Sequence, residues 1–151
     1  MPLWQIYHPA GLYEDQESKS SFAKDITKIY TKIGLPPFYV VVNFIPLPKE
    51  DILVGGEPSN GTPFIRIVIT NIAVKMPETN ETYTRFTSSV DAVLKPHIAD
   101  KGYDWEYHVA ETERRLWKIN GLIPPPWKSE EEARWAEQNR PVPYEGAFAP
   151  L

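Results

Sequence analysis

The spacing of apolar and polar positions along the chain changes in a set order, and that order is written twice. Pro2-Leu3-Trp4-Gln5-Ile6-Tyr7 has the extended texture of a strand. Between Asp15 and Ile33, the residues Phe22, Ile26, Ile29 and Ile33 recur at steps of four, three and four, with Lys and Asp between them. That spacing is one face of an amphipathic helix, and Gly34 with Pro36 beyond it supplies the stop. Phe38 to Phe44 is then a continuous β-branched and aromatic run, which predicts a strand covered on both faces. Strand, helix and strand form one βαβ unit, whose crossover demands a parallel pair.

The same order returns further along. Phe64 to Thr70 predicts a strand. Asn80 is a candidate cap for a helix carrying Tyr83, Phe86, Val90, Val93 and Leu94, which Pro96 should end near Leu94 or Lys95. Asp104 to Val109 completes the second unit as a shorter strand. The units, 2–45 and 63–109, start roughly sixty residues apart, and a loop or hairpin over Pro46 to Gly61, with Gly55-Gly56 in it, joins them. The expected fold class is α+β: a tandem β-α-β repeat forming a mixed four-stranded sheet with two helices on one face. In the first strand Pro2, Trp4, Ile6 and His8 fall on one side and Leu3, Gln5 and Tyr7 on the other, so neither side reads as solvent-facing. A second copy of the chain is the economical cover for the face without helices.

The texture changes after Val109. A domain over 1–123 is followed by a Pro- and Trp-rich extension over 124–151, expected to pack on the domain or on a neighbouring subunit. Pro124-Pro125-Pro126-Trp127 precedes Ser129-Glu130-Glu131-Glu132, a capping-box pattern that opens a short helix through Trp135. Pro141, Pro143 and the apolar end Phe148-Ala149-Pro150-Leu151 follow.

Composition removes several kinds of chemistry. The 151 residues include no cysteine, so there is neither a disulfide framework nor a thiolate nucleophile or ligand. The three histidines, His8, His97 and His108, stand at no short metal-ligand spacing, and no metal site is expected. A formal net charge of −4 argues against nucleic-acid binding, for which clustered Lys and Arg are needed. No run of about 18 apolar residues suggests a membrane span, and the N-terminus lacks the pattern of a secretory signal. A cytoplasmic protein is the default expectation. The sequons at Asn60 and Asn80 then count as chance matches, and Asn60-Gly61 reads as a turn.

What remains is Pro2. If Met1 is trimmed, the chain begins with a secondary amine. An α-amino group titrates at about 8 in water, and an apolar pocket or nearby cations favour its neutral, basic form.

The N-terminal proline, the duplicated βαβ unit and the absence of cysteine or a metal pattern together resemble the tautomerase superfamily. Within it, Val42-Asn43-Phe44, Gly55-Gly56, Trp105 with Tyr107, and Gly121-Leu122-Ile123-Pro124 are similar to the cis-3-chloroacrylic acid dehalogenase-like group, whose chains fuse two short units. The resemblance implies a homotrimer with a pocket around each terminal proline and no cofactor. It implies that Pro2 shuttles protons on a small carboxylate substrate and that Tyr107 orients water or substrate. The family's arginine pair is missing, since Thr70-Asn71-Ile72-Ala73-Val74 holds no arginine. Lys118 stands where its water-activating carboxylate should be, and Tyr30 replaces its histidine. Tyr30 therefore joins the substrate-binding candidates, with Arg66, Arg114, Arg115 and Lys118 as possible carboxylate grips. Lys118 would also lower the amine's pKa if it lies nearby.

The leading expectation is a cofactor-independent tautomerase acting on small enol or 2-oxo acids. One alternative is a hydratase or hydrolytic dehalogenase of 3-substituted acrylates, for which Glu111 or Glu113 would have to activate water. The other is a non-catalytic binding module, favoured if Met1 stays attached and leaves Pro2 as an amide.

Overall fold

The computed structural model describes residues 1–59 and 61–148. Nine elements position the site. They are β1 (Pro2–Pro9), α1 (Gln16–Thr31), β2 (Val41–Leu47), β3 (Leu53–Val54), β4 (Glu57–Pro58), β5 (Phe64–Asn71), α2 (Asn80–His97), β6 (Asp104–Glu111) and α3 (Glu130–Gln138). The main sheet has the order β2-β1-β5-β6. Each repeat contributes a parallel pair, β1 with β2 and β5 with β6, and the repeats meet through antiparallel β1 and β5, with Ile6 opposite Ile67 and Pro2 opposite Asn71. This is the mixed α+β sheet the two βαβ units predict. β3 and β4 make the hairpin around Gly55-Gly56.

Both helices cover one face. Trp4 and Ile6 of β1, with Ile65, Ile67 and Ile69 of β5, are fully buried against Phe22, Ile26 and Tyr30 of α1 and Val90 and Leu94 of α2. Alternation along the two central strands therefore sends one set of side chains into a single core. Asp15 caps α1, its Oδ1 accepting from the Ser18 amide at 2.6 Å. Gly34 takes a left-handed φ of 90° just past its end, and the Leu35 amide donates back to the Tyr30 carbonyl at 3.3 Å.

Three local expectations change. Phe38 and Tyr39 belong to a 3-10 turn, Pro37–Tyr39, because Pro36-Pro37 fixes φ there and delays the strand to Val41. β2 is an edge strand with exposed Val41 and Asn43, so it is not covered on both faces. α2 is capped by Thr79, whose Oγ1 accepts from the Thr82 amide at 3.2 Å, and Asn80 is its first helical residue. It also runs through Pro96 to His97. A proline in the last turn costs one hydrogen bond there, and the Ile98 amide still reaches the Leu94 carbonyl at 2.8 Å.

Beyond β6 the chain builds a second cluster. Asn120-Gly121 turns it tightly, with reciprocal backbone bonds between Ile119 and Leu122 of 3.0 and 2.9 Å. Ser129 caps α3 by accepting from the Glu132 amide at 3.1 Å. Trp135, Tyr39, Trp117, Leu122 and Ala147 then bury one another, with Met1 packed against them. The apolar end at 149–151 and Asn60 of the expected Asn60-Gly61 turn lie outside the described residues.

Candidate active site at the amino terminus

β1 is a central strand, so its first residues are held from both sides. The Met1 amine donates to the Ile72 carbonyl at 2.7 Å, and the Ile72 amide donates to the Met1 carbonyl at 2.8 Å. These bonds continue the β1–β5 ladder one residue past Pro2 and place the terminus inside the protein. Burial is the largest influence on the amine and pulls it from 8.0 to about 5; the Glu132 carboxylate opposes that shift and the Arg114 guanidinium adds to it. A terminal amine held in this way is neutral at pH 7 and able to accept a proton.

Met1 and Pro2 form one wall of a cavity of about 410 Å³ at the end of the sheet. Its body is apolar, supplied by Ile29 and Ile33, Val74 and Met76, Phe86 of α2, and Trp127 of the extension. Its polar groups are Tyr30, Asn71, Thr82, Arg85 and Ser89. Tyr30 is buried; its hydroxyl accepts from Trp4 Nε1 at 2.9 Å and donates to Asn71 Oδ1 at 3.4 Å. Burial pushes its phenol well above the usual tyrosine value, so it acts as a fixed neutral hydrogen-bonding group. Arg85 is exposed at the rim and paired with Glu81 at 2.6 Å.

The other sequence candidates lie in different surroundings. Arg114 is half-buried near the terminus and donates to the Pro124 carbonyl at 2.6 Å. Tyr107 faces α2, donating to Asp91 Oδ1 at 3.1 Å, and its phenol is pushed up to about 12 by burial and the Asp91 carboxylate. Arg66 projects from the opposite sheet face. It pairs there with Glu106 and donates to His108 Nδ1 at 2.9 Å beside a separate cavity with Tyr7 and Leu47. Arg115 is exposed and pairs with Glu113 at 3.1 Å, and Lys118 is exposed. In the single chain, then, the fold gathers Pro2, Tyr30 and Arg114 at the terminus and leaves Tyr107, Arg66, Arg115 and Lys118 elsewhere.

Residues 1–140 match the family described as "Putative oxalocrotonate tautomerase enzyme". The chain belongs to this tautomerase family. No curated protein matches it. Among solved structures, this tautomerase is similar to native RhCC from Rhodococcus jostii RHA1, with 41% identity and a TM-score of 0.87 over 94% of this chain and 99% of that one. It is also similar to a probable enzyme from the thermophilic fungus Aspergillus fumigatus, with 43% identity and a TM-score of 0.85 over 95% and 98% of the two chains. A wild-type fused 4-OT asymmetric trimer, F6, shares the fold at 18% identity, with a TM-score of 0.58 over 80% and 94% of the two chains. Among the described residues, no helix is long and apolar enough to cross a membrane.

Sequence reasoning missed four of the groups gathered here. Asn71 is found only once antiparallel pairing sets it opposite Pro2. Arg85 and Trp127 come from segments distant in sequence. Glu132 was legible as a helix-capping residue, yet it stands three positions before the buried Trp135 and so shares its inward face.

Proposed function

We propose that this tautomerase is a cofactor-independent isomerase of small enol or 2-oxo acids in which Pro2, freed by removal of Met1, is the general base and acid. The observation that supports this most is the position of the terminus: a desolvated amine held below its usual range, beside an apolar cavity of 410 Å³. A secondary amine at Pro2 would lie one residue inward, on a residue that is itself buried. It would be neutral at pH 7 and would take a proton from carbon next to a carbonyl, then return it at the other end of the enol system. Positioned proton transfer of this kind contributes about 10²–10⁴-fold. Tyr30, locked to Trp4 and Asn71, would orient the substrate, and Arg114, close enough to act on the terminal amine, would attract its carboxylate.

Hydration or dehalogenation has weaker support. Glu111 accepts the Met76 amide at 2.8 Å and Glu113 pairs with Arg115, so both candidate water-activating carboxylates are engaged. The dehalogenase-like grouping rests on the short motifs at Val42, Gly55, Trp105 and Gly121.

We also infer a homotrimer. The helix-free sheet face carries half-buried Leu3, Gln5, Tyr7 and Val68, and two fused 4-OT proteins of this fold are named as trimers. Sedimentation at three times the 17.3 kDa chain mass is the expected result, and sedimentation at one chain mass would overturn it.

The test of the catalytic reading is ketonisation of phenylenolpyruvate by protein whose intact mass shows Met1 removed. Pro2→Ala should lower the rate by about 10²–10⁴-fold. Equal rates for the two proteins would reject the proline base.

A further inference from the structure

A second proton-transfer group would let Pro2 serve carbon while its partner serves oxygen, and the structure holds a candidate on the far side of Met1. Glu132 is 5% exposed, in a segment that follows both βαβ repeats. One of its oxygens, Oε2, accepts the Lys128 amide at 2.7 Å. Arg114, anchored to the Pro124 carbonyl, and Tyr39 are near enough to Glu132 to interact with its charge, and the Tyr39 ring meets Trp117 edge to face at 5.3 Å.

Among the described residues, three buried polar side-chain atoms have no hydrogen-bond partner, and two of them are the Tyr39 hydroxyl and Trp117 Nε1. Their residues are 2% and 8% exposed. Native proteins rarely bury unsatisfied polar groups, and those that persist call for an explanation such as a catalytic role or a bound water or ion. Met1 separates this cluster from the apolar cavity, since its side chain lines the cavity and also packs against the aromatic cluster. Removing Met1 would leave the Pro2 nitrogen between this cluster and the cavity.

We propose that Glu132 is the acid working opposite Pro2, and that Arg114, the Tyr39 hydroxyl and Trp117 Nε1 hold the carboxylate of a 2-oxo acid beside it. The inference rests on the proline-base reading. In the keto-to-enol direction the neutral Pro2 amine takes the proton from the carbon next to the carbonyl and becomes an ammonium. The C–H electron pair forms the C=C bond, and the carbonyl π pair moves to oxygen, which receives the Glu132 carboxyl proton. Proton transfer from the Pro2 ammonium to the Glu132 carboxylate then resets the site. The environment suits both roles, because burial raises Glu132 towards its protonated form while it lowers the terminal amine. The titratable and charged groups facing this cluster are the terminal amine, Arg114, Tyr39 and Tyr144.

The experiment compares wild type, Glu132→Gln, Tyr39→Phe and Pro2→Ala, all free of Met1 by mass, in phenylenolpyruvate ketonisation across pH. Gln keeps an acceptor for the Lys128 amide. Glu132→Gln should lose about 10²-fold or more in kcat, with KM nearly unchanged. In ketonisation the enol hydroxyl gives its proton to the Glu132 carboxylate, so the fall in wild-type kcat at acid pH, as that carboxylate is protonated, should be absent from this variant. Tyr39→Phe should raise KM several-fold, up to about tenfold, with kcat little changed. A Gln variant within about threefold of wild type that keeps the acid limb overturns the Glu132 assignment while an inactive Pro2→Ala leaves the proline reading intact. Unchanged KM in Tyr39→Phe overturns the carboxylate cradle. An active Pro2→Ala, or an inert wild type, removes the reading on which the inference stands.

Discussion

Tyr39→Phe separates stability from function at a single oxygen atom. The Tyr39 ring is buried against Trp117 and Trp135, while its hydroxyl has no partner. An unsatisfied buried hydroxyl carries a desolvation penalty of about 1–3 kcal/mol, and phenylalanine preserves the ring packing without it. The variant should therefore be more stable than wild type by about 1 kcal/mol. For a chain of this length that corresponds to a rise in Tm of about 2–4 °C. Thermal and urea unfolding of the free proteins measure the gain. Adding phenylpyruvate should narrow the difference, because in the Met1-free protein its carboxylate would satisfy the wild-type hydroxyl and leave the variant one bond short. A Tyr39→Phe chain that melts lower than wild type by a similar amount would show that the hydroxyl is already paired, and the argument for a prepared carboxylate site would fail.

Two further outcomes follow from the same geometry. Ser129→Ala removes the cap of α3, whose hydroxyl accepts the Glu132 amide. It should cost about 1 kcal/mol by denaturant unfolding and, because α3 carries Glu132, lower kcat as well. The second concerns the chain that retains Met1, whose amine is pulled from 8.0 to about 5 on folding. Between those values the unfolded chain binds more protons, so this group makes stability rise with pH by up to about 1.4 kcal/mol per unit. Its contribution is complete above pH 8 and lost as pH falls to 5. Glu132 titrates in the opposite sense, and comparison with an N-acetylated chain cancels it; identical slopes for the two proteins would show that the amine is not desolvated.

Most of the fold was legible because its strands and helices carry strong periodicity. Alternation in β1 and β5, and the Phe22-Ile26 spacing in α1, each point to one buried face, and the faces agree. The misreadings fell where backbone chemistry competes with side-chain pattern. Phe38 and Tyr39 look like strand residues, but the two prolines before them fix a turn and send Tyr39 to the second cluster. Pro96 looks like a stop, but a helix in its last turn tolerates it. The site was harder to read because its parts come from β1, α1, the loop before Trp117 and the extension. Arg66 shows the limit well: an arginine central in a strand is conspicuous in sequence, yet only the fold reveals Glu106 and His108 across from it. Glu132 shows the converse, since a capping motif explained it fully until the buried terminus appeared beside it.

The central claim is that the nitrogen of Pro2, once exposed by loss of Met1, is uncharged at neutral pH. A ¹⁵N NMR titration of proline-labelled protein, with Met1 removal verified by mass, reads that nitrogen directly. The account predicts a midpoint well below the ordinary α-amino value of about 8. A midpoint at or above 8 would mean a protonated terminus at pH 7, and no base for the proposed reaction.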